Sequence, residues 1–261
     1  MEAAFFDLDK TVISKSSSLA LTRPFFRAGL VTRSQLLRGA YAQLVYLMIG
    51  ADEKRMERAK DGMLALTKGW DKEEVDSVVQ EALQEVVDPY IYQEALDLIA
   101  LHKALGRTVY IVSSSPEGVV RPLAQRLGVD QVIATRAEVV DGKFTGNLEF
   151  YCYREKKAEA IRAIEGIDLE ASYAYSDSVT DVPMLEAVGN PVAVNPDREL
   201  RKMAQQRGWK IRDFRRPVRL RQRLGPVKKP SPVALLAGAA TLALVLGWVF
   251  LRGRLGRRRA S

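Results

Sequence analysis

Cysteine and histidine are nearly absent from this chain, which has one of each, Cys152 and His102, in 261 residues. A single cysteine excludes an intramolecular disulfide framework and a cysteine zinc cluster, and leaves Cys152 as a core or surface thiol. His102 falls within the helical pattern Tyr92–Leu105, away from every expected strand end, and reads as a structural or surface residue. No internal repeat of solenoid or propeller length is present. A signal-peptide pattern is also missing from the first residues, because Asp7, Asp9 and Lys10 interrupt the first apolar run. Acidic residues are missing from the last stretch: residues 201–261 hold 17 Lys and Arg against one acid, Asp213. Residues 1–200 hold the reverse, 23 bases against 31 acids. A basic tail on an acidic body points to nucleic acid or to an anionic membrane surface.

What is present chooses between them. Residues 233–251, VALLAGAATLALVLGWVFL, contain no charge over 19 positions. A helix of that length, at about 1.5 Å per residue, nearly matches the ~30 Å hydrocarbon core of a bilayer. Trp248 stands near one end, Pro230 and Pro232 precede the run, and Arg252 and Arg254 follow it. The basic flanks offer no protein shell for a buried core helix. The tail also lacks the interleaved aromatics of a stacking platform, so no nucleic-acid partner is expected. A transmembrane helix is expected instead, with the basic linker resting on anionic headgroups. Eight bases between Arg212 and Lys229, against five after Leu251, place the body on the cytoplasmic side of the cell membrane.

The chain as a whole, 47% hydrophobic and 28% charged, has the composition of a folded globular protein. Its length suits one domain, or one domain with a small accessory one. Apolar runs rich in Val, Ile, Tyr and Phe occur at Ala3–Leu8, Thr108–Val112, Gln131–Thr135, Ser172–Tyr175 and Pro191–Val194. Helical patterns lie between them at about 116–127, 155–165 and 181–188. This alternation predicts an α/β fold with a parallel sheet covered by helices. Glu138–Leu148 contains Asp141-Gly142, a hairpin turn signal. Residues 14–92 break the alternation with helical patterns at Ser34–Ile49, Asp52–Thr67 and Lys72–Val87. They read as a cap over the catalytic end of the sheet.

Ligands of an open parallel sheet bind beyond the carboxyl ends of its strands. The residues expected there are Asp7-Leu8-Asp9-Lys10-Thr11, Ser113-Ser114-Ser115-Pro116, Lys156-Lys157, and Asp177 with Asp181. Two carboxylates at i and i+2 suit a division of labour: one attacks phosphorus, the other handles protons on the leaving group and on water. A third carboxylate, Asp177, raises a repulsion that a hard, oxygen-seeking cation such as Mg²⁺ relieves. A serine hydroxyl and a lysine ammonium can hold the non-bridging phosphate oxygens. Ser115-Pro116 reads as a helix N-cap and first turn, aiming free N–H groups at the phosphate.

FDLDKT resembles the DxDxT signature of haloacid-dehalogenase-superfamily phosphatases, VYIVSS their second motif and SDSVTD their fourth. Together these motifs cover residues 1–200. The long helical insertion after the first motif resembles subfamily IB, the phosphoserine-phosphatase-like group. YCYREKKAEAI and YAYSDSVTDVPMLEAVGNPVAVNPD are similar to its actinobacterial members. The resemblance implies a Rossmann-like core formed by residues 1–13 and 93–212, with a C1-type helical cap at 14–92. A basic linker at 213–232, the transmembrane helix at 233–251 and a basic tail at 252–261 complete the chain. It implies that Asp7 is the nucleophile and Asp9 the general acid and base. Asp7, Asp177 and the carbonyl of Asp9 would bind Mg²⁺, and Ser113 and Lys157 would bind phosphate. Thr11, Ser114 and Asp181 would support them. The third motif departs from the family: Arg154 and Lys156 stand where relatives have a Gly-containing turn, so Lys156 competes with Lys157 for the phosphate.

A small phosphomonoester, phosphoserine-like, is the substrate class this implies. Phosphoserine phosphatases place an acid nine positions after the nucleophile, where this chain has Ser16. A buried hydroxyl solvates an ammonium poorly. Arg55 or Arg58 of the cap could meet a carboxylate or a second phosphate. Two alternatives remain: a phosphatase of a lipid-linked phosphate at the membrane surface, and a membrane-tethered regulatory protein without turnover.

Overall fold

The computed structural model describes residues 1–32, 61–62, 64–86 and 90–218. The chain divides into two compact units, Met1–Leu220 and Arg221–Ser261. The expected span at 233–251 and most of the basic linker lie outside the described residues, as do the pattern Ser34–Ile49, Arg55 and Arg58. Among the described residues no helix is long and apolar enough to cross a membrane.

A seven-stranded sheet in the order β5-β4-β3-β1-β6-β7-β8 organises the first unit. Its strands are β1 (Ala3–Phe6), β3 (Thr108–Pro116), β4 (Gln131–Val140), β5 (Lys143–Phe150), β6 (Tyr173–Ser176), β7 (Asn190–Val194) and β8 (Lys210–Arg212). All neighbouring pairs are parallel except β4 and β5. Strand β1 lies between β3 and β6, so the chain builds outward from it first to one side and then to the other. That reversal opens the crevice in which α/β folds bind ligands.

The four residues of β1 are fully buried. Ala4 and Phe6 pack into one apolar cluster and Ala3 and Phe5 into another, as the period of two requires when both faces are covered. Helices α3 (Gln93–Ala104) and α4 (Glu117–Leu127) cover the first face. Helices α5 (Glu155–Arg162), α6 (Val182–Glu186) and α7 (Arg198–Arg207) cover the second. Truncating Phe6 to Ala would cost about 3–5 kcal/mol.

Between β1 and α3 come α1 (Ser17–Arg27), α2 (Lys72–Val86) and β2 (Ile91–Tyr92), a short strand antiparallel to β9 (Pro217–Val218). Asp71 caps α2, its Oδ1 accepting from the N–H of Glu73 at 2.9 Å and of Glu74 at 3.2 Å. Leu21 of α1 and Val79, Ala82 and Leu83 of α2 share the apolar cluster of β1, with Val12, Ile13 and Ile91.

The hairpin β4–β5 turns at Asp141 (φ 50°) and Gly142 (φ 76°), both in the left-handed region that a two-residue hairpin turn demands. It runs past the ends of its neighbours: β3 pairs with β4 only as far as Thr135, whereas β5 pairs from Arg136 onward. The projecting hairpin meets the segment before α2. Gly69 N–H donates to Phe144 O at 2.8 Å, Phe144 N–H to Trp70 O at 3.0 Å, and Lys72 N–H to Gly142 O at 2.9 Å.

Candidate active site

The first apolar run was expected to extend to Leu8, but β1 ends at Phe6. The chain turns because Lys10 adopts φ 62° and the Leu8 carbonyl accepts from the N–H of Val12 (2.9 Å) and Ile13 (3.0 Å). Asp7 is the first residue beyond the strand, its N–H still held by Tyr175 O at 2.9 Å. Its side chain therefore emerges at the carboxyl end of the central strand.

Lys157 meets it there. Arg154, at φ 49°, turns the chain into α5, and Lys157 sits in the first helical turn, only 2% exposed. Its Nζ donates to Asp7 Oδ1 at 2.7 Å and to Asp181 Oδ2 at 2.8 Å. Lys156 points outward and pairs with Glu159 at 2.5 Å, so of the two lysines Lys157 is the one in the site. Asp181 closes the 3₁₀ turn Val179–Asp181 after β6 and accepts a second bond from Ser176 Oγ at 2.7 Å.

Asp177, the first residue after β6, is buried. Burial pushes its carboxyl up to about 7; the nearby Lys10 ammonium works against this, while Asp181 and Asp197 add to it. Burial likewise raises Asp7 well above the usual carboxylate range; Lys157 opposes that rise, and Asp181 and Asp177 reinforce it. Burial alone would lower Lys157, but Asp181 and Asp7 hold it above an ordinary lysine, so it stays an ammonium. The buried Lys157 ammonium thus binds two buried carboxylates, Asp7 and Asp181, and a third, Asp177, is buried close to Asp7. A further positive charge is the chemistry this donor set lacks.

The donors suit Mg²⁺. Among the described residues no three Asp, Glu, His or Cys side chains form a metal-binding group. Asp7 and Asp177 follow the adjacent strands β1 and β6 and offer carboxylate oxygens of the kind Mg²⁺ takes, and Mg²⁺ commonly takes its remaining ligands from water and substrate phosphate. Thr11 Oγ1 is also buried without a hydrogen-bond partner. Such an orphan calls for a water or ligand.

The second carboxylate of the first motif, Asp9, is partly buried and held by serines. Its Oδ1 accepts from Ser17 N–H at 2.6 Å; its Oδ2 accepts from Ser115 Oγ at 2.8 Å and Ser17 Oγ at 3.2 Å. Ser115 is not the expected helix cap: α4 starts at Glu117 after Pro116, and the Ser115 hydroxyl turns to Asp9 instead. Ser113 is buried and its Oγ accepts from Ser115 N–H at 3.1 Å. The Ser114 side chain is exposed, and its carbonyl accepts from Thr135 Oγ1 at 2.8 Å. Ser17 and Ser176 were not among the expected site residues. Neither had a signal beyond standing near a motif.

His102 is buried rather than at the surface. It lies beneath the site, 2.7 Å from the hydroxyl of Tyr175, whose ring stacks on Phe6 at 4.3 Å.

A family model described as haloacid dehalogenase-like hydrolase matches residues 4–186. The chain is 52% identical over 260 residues to an inhibition of morphological differentiation protein of Streptomyces azureus, covering 97% of this chain and 94% of that one. It is 50% identical over 250 residues to a probable phosphatase of Mycobacterium tuberculosis, covering 95% and 87%. Among solved structures, a Bordetella pertussis protein of unknown function is 33% identical with a TM-score of 0.72, over 81% of this chain and 98% of that one. A phosphoserine phosphatase in its apo form shares the fold at 21% identity and a TM-score of 0.59, over 85% and 97%.

Proposed function

The chain belongs to the haloacid dehalogenase-like hydrolase family and is a phosphatase, and we propose that it hydrolyses a small phosphomonoester through an aspartyl-phosphate on Asp7. The observation that carries this reading is the buried Lys157 ammonium, bonded at once to Asp7 (2.7 Å) and Asp181 (2.8 Å). It fixes the attacking oxygen and sits where the non-bridging phosphate oxygens gather charge.

In the first step a carboxylate oxygen of Asp7 forms a bond to phosphorus as the bond to the leaving oxygen breaks. Asp9, two positions on, gives its proton to that oxygen. In the second step Asp9 takes a proton from water, which attacks the phosphorus and frees Asp7. Ser113 and Lys157 hold the transferred group, with Thr11 and Asp181 in support, while Ser114, expected to help, has its side chain exposed and takes no part. Asp7, Asp177 and the carbonyl of Asp9 would hold Mg²⁺, whose charge would let the two anions approach.

Phosphoserine-like metabolites are the first substrates to test, with Ser16 in place of the acid that would pair an amino group. A second reading, a lipid-linked phosphate, is favoured by the uncharged run 233–251 and the basic stretch before it. On either reading the uncharged run would make the chain a single-pass cell-membrane protein with its catalytic body in the cytoplasm. A panel of phosphomonoesters assayed with Mg²⁺ tests the proposal. Turnover of phosphoserine-like esters supports the first reading, and turnover only of phosphatidate or lysophosphatidate vesicles supports the second. No turnover of any ester would favour a regulatory protein.

A further inference from the structure

We infer that Ser17 and Ser115 are positioning residues that fix which oxygen of Asp9 carries the transferred proton. This rests on the reading of Asp9 as general acid and base. The two oxygens of Asp9 have different partners. Oδ1 accepts from the backbone N–H of Ser17 at 2.6 Å. A backbone N–H only donates, so Oδ1 is held as an acceptor in every protonation state.

Oδ2 faces two hydroxyls, Ser115 Oγ at 2.8 Å and Ser17 Oγ at 3.2 Å, which are themselves 2.9 Å apart. A hydroxyl both donates and accepts and can turn. The pair donates to Oδ2 when Asp9 is ionised, and one of the two accepts from it when Asp9 is protonated. The proton therefore rides on Oδ2. When the ester bond breaks, its electron pair stays on the leaving oxygen. The Oδ2 proton moves there while Asp7 bonds to phosphorus, and the two hydroxyls turn back to donate to the new carboxylate.

Both serines are buried, Ser17 at 0% and Ser115 at 5% exposure, so water does not replace them freely. Ser17 is also the first residue of α1, and Ser16 before it makes no side-chain cap. The free N–H of that helix end is satisfied by Asp9. The proton donor is thus tied to a helix of the segment inserted after β1, whose Leu21 shares an apolar cluster with Val79 and Leu83 of α2. Ser115 reaches Oδ2 of Asp9 from the end of β3.

A purely structural role and a positioning role differ in leaving-group dependence. A nitrophenolate leaves without a proton, whereas an alkoxide needs one. The test compares kcat/KM for p-nitrophenyl phosphate and glycerol phosphate in the full-length protein and in Asp9→Asn, Ser17→Ala and Ser115→Ala. Ser115→Cys, close in shape and a weak donor, substitutes if Ser115→Ala does not fold. The alkyl-to-aryl ratio should fall about a hundredfold in Asp9→Asn and about tenfold in each serine variant. Ser115→Ala added to Asp9→Asn should not lower it further. If Asp9→Asn lowers the ratio while the serine variants keep it, the positioning role is wrong and the general acid stands. If Asp9→Asn keeps the ratio as well, Asp9 is not the general acid and the inference falls with it.

Discussion

Lys157 and Asp7, 150 positions apart in the chain, meet through a 2.7 Å hydrogen bond, with the lysine side chain 2% exposed. Removing two charges from water is costly, and here the cost is offset only because the same ammonium also reaches Asp181. A pair so placed links the catalytic end of β1 to α5, and function and stability both depend on it.

Replacing Lys157 by Met should therefore do two kinds of damage. It leaves Asp7 and Asp181 buried without their cation, at about 3–5 kcal/mol in stability. It should also lower kcat by at least about a hundredfold. Lys156→Met removes only the exposed pair with Glu159 and should stay within about 0.5 kcal/mol with activity retained. Urea unfolding and steady-state kinetics check both.

Asp177→Asn should show itself in the Mg²⁺ requirement. With one of the two proposed carboxylate ligands neutralised, the Mg²⁺ concentration for half-maximal activity should rise by more than about tenfold. EDTA should abolish wild-type activity, and restored Mg²⁺ should recover it. Beryllofluoride, occupying the phosphoryl position on Asp7, should inhibit only when Mg²⁺ is present.

The His102 network predicts a pH dependence of stability. Burial, with Arg107 and Arg212 nearby, holds the imidazole down to about 4 from its ordinary 6.5. Arg107 donates towards Nδ1, so Nε2–H donates to the hydroxyl of Tyr175, and the neutral ring is the one that fits. Below pH 6.5 the unfolded chain binds a proton that the folded chain refuses until about pH 4. Stability is therefore lost as pH falls through that window, by at most about 1.4 kcal/mol per unit. Asp177, raised to about 7, has the opposite sign. The difference between wild type and His102→Gln, measured by urea unfolding at pH 7 and pH 5, cancels its contribution. That difference should shrink towards pH 5.

Full-length protein should sediment with membranes and resist release by high salt or carbonate, because burial of apolar area is not screened by ions. A chain ending at Gly225 retains the compact unit Met1–Leu220 and every proposed catalytic residue. It should be soluble and active, with at most weak, salt-reversible binding to anionic vesicles. Full-length protein recovered in the soluble fraction without detergent would remove the anchor.

The parallel sheet was legible because its inner strands are short apolar runs bounded by polar motifs, and Asp141-Gly142 marked the hairpin turn. The two-residue pair β2–β9 carries too few residues to show a period. Within Ser113–Ser115, the resemblance gave Ser113 to the phosphate and Ser114 to support, and Ser115 read as a helix cap, so the bond from Ser115 to Asp9 was not legible. The register between β3 and β4 shifts between Ser113 and Pro116, turning Ser115 towards Asp9 and leaving Ser114 outside. The choice of Lys157 over Lys156 was likewise a matter of helical phase, decided where Arg154 turns the chain into α5. Ser17 gave no signal because its role comes from a turn that folds α1 back onto Asp9.

The claim that Asp7 takes the phosphoryl group is tested most directly by trapping the intermediate. The protein is mixed with a radiolabelled phosphomonoester and Mg²⁺, quenched in acid within a turnover, and digested. The label should appear on the peptide containing Asp7, be released by hydroxylamine as an acyl-phosphate is, and be absent from Asp7→Asn, which should also be inactive. Label on another residue, or full turnover by Asp7→Asn, would contradict the account.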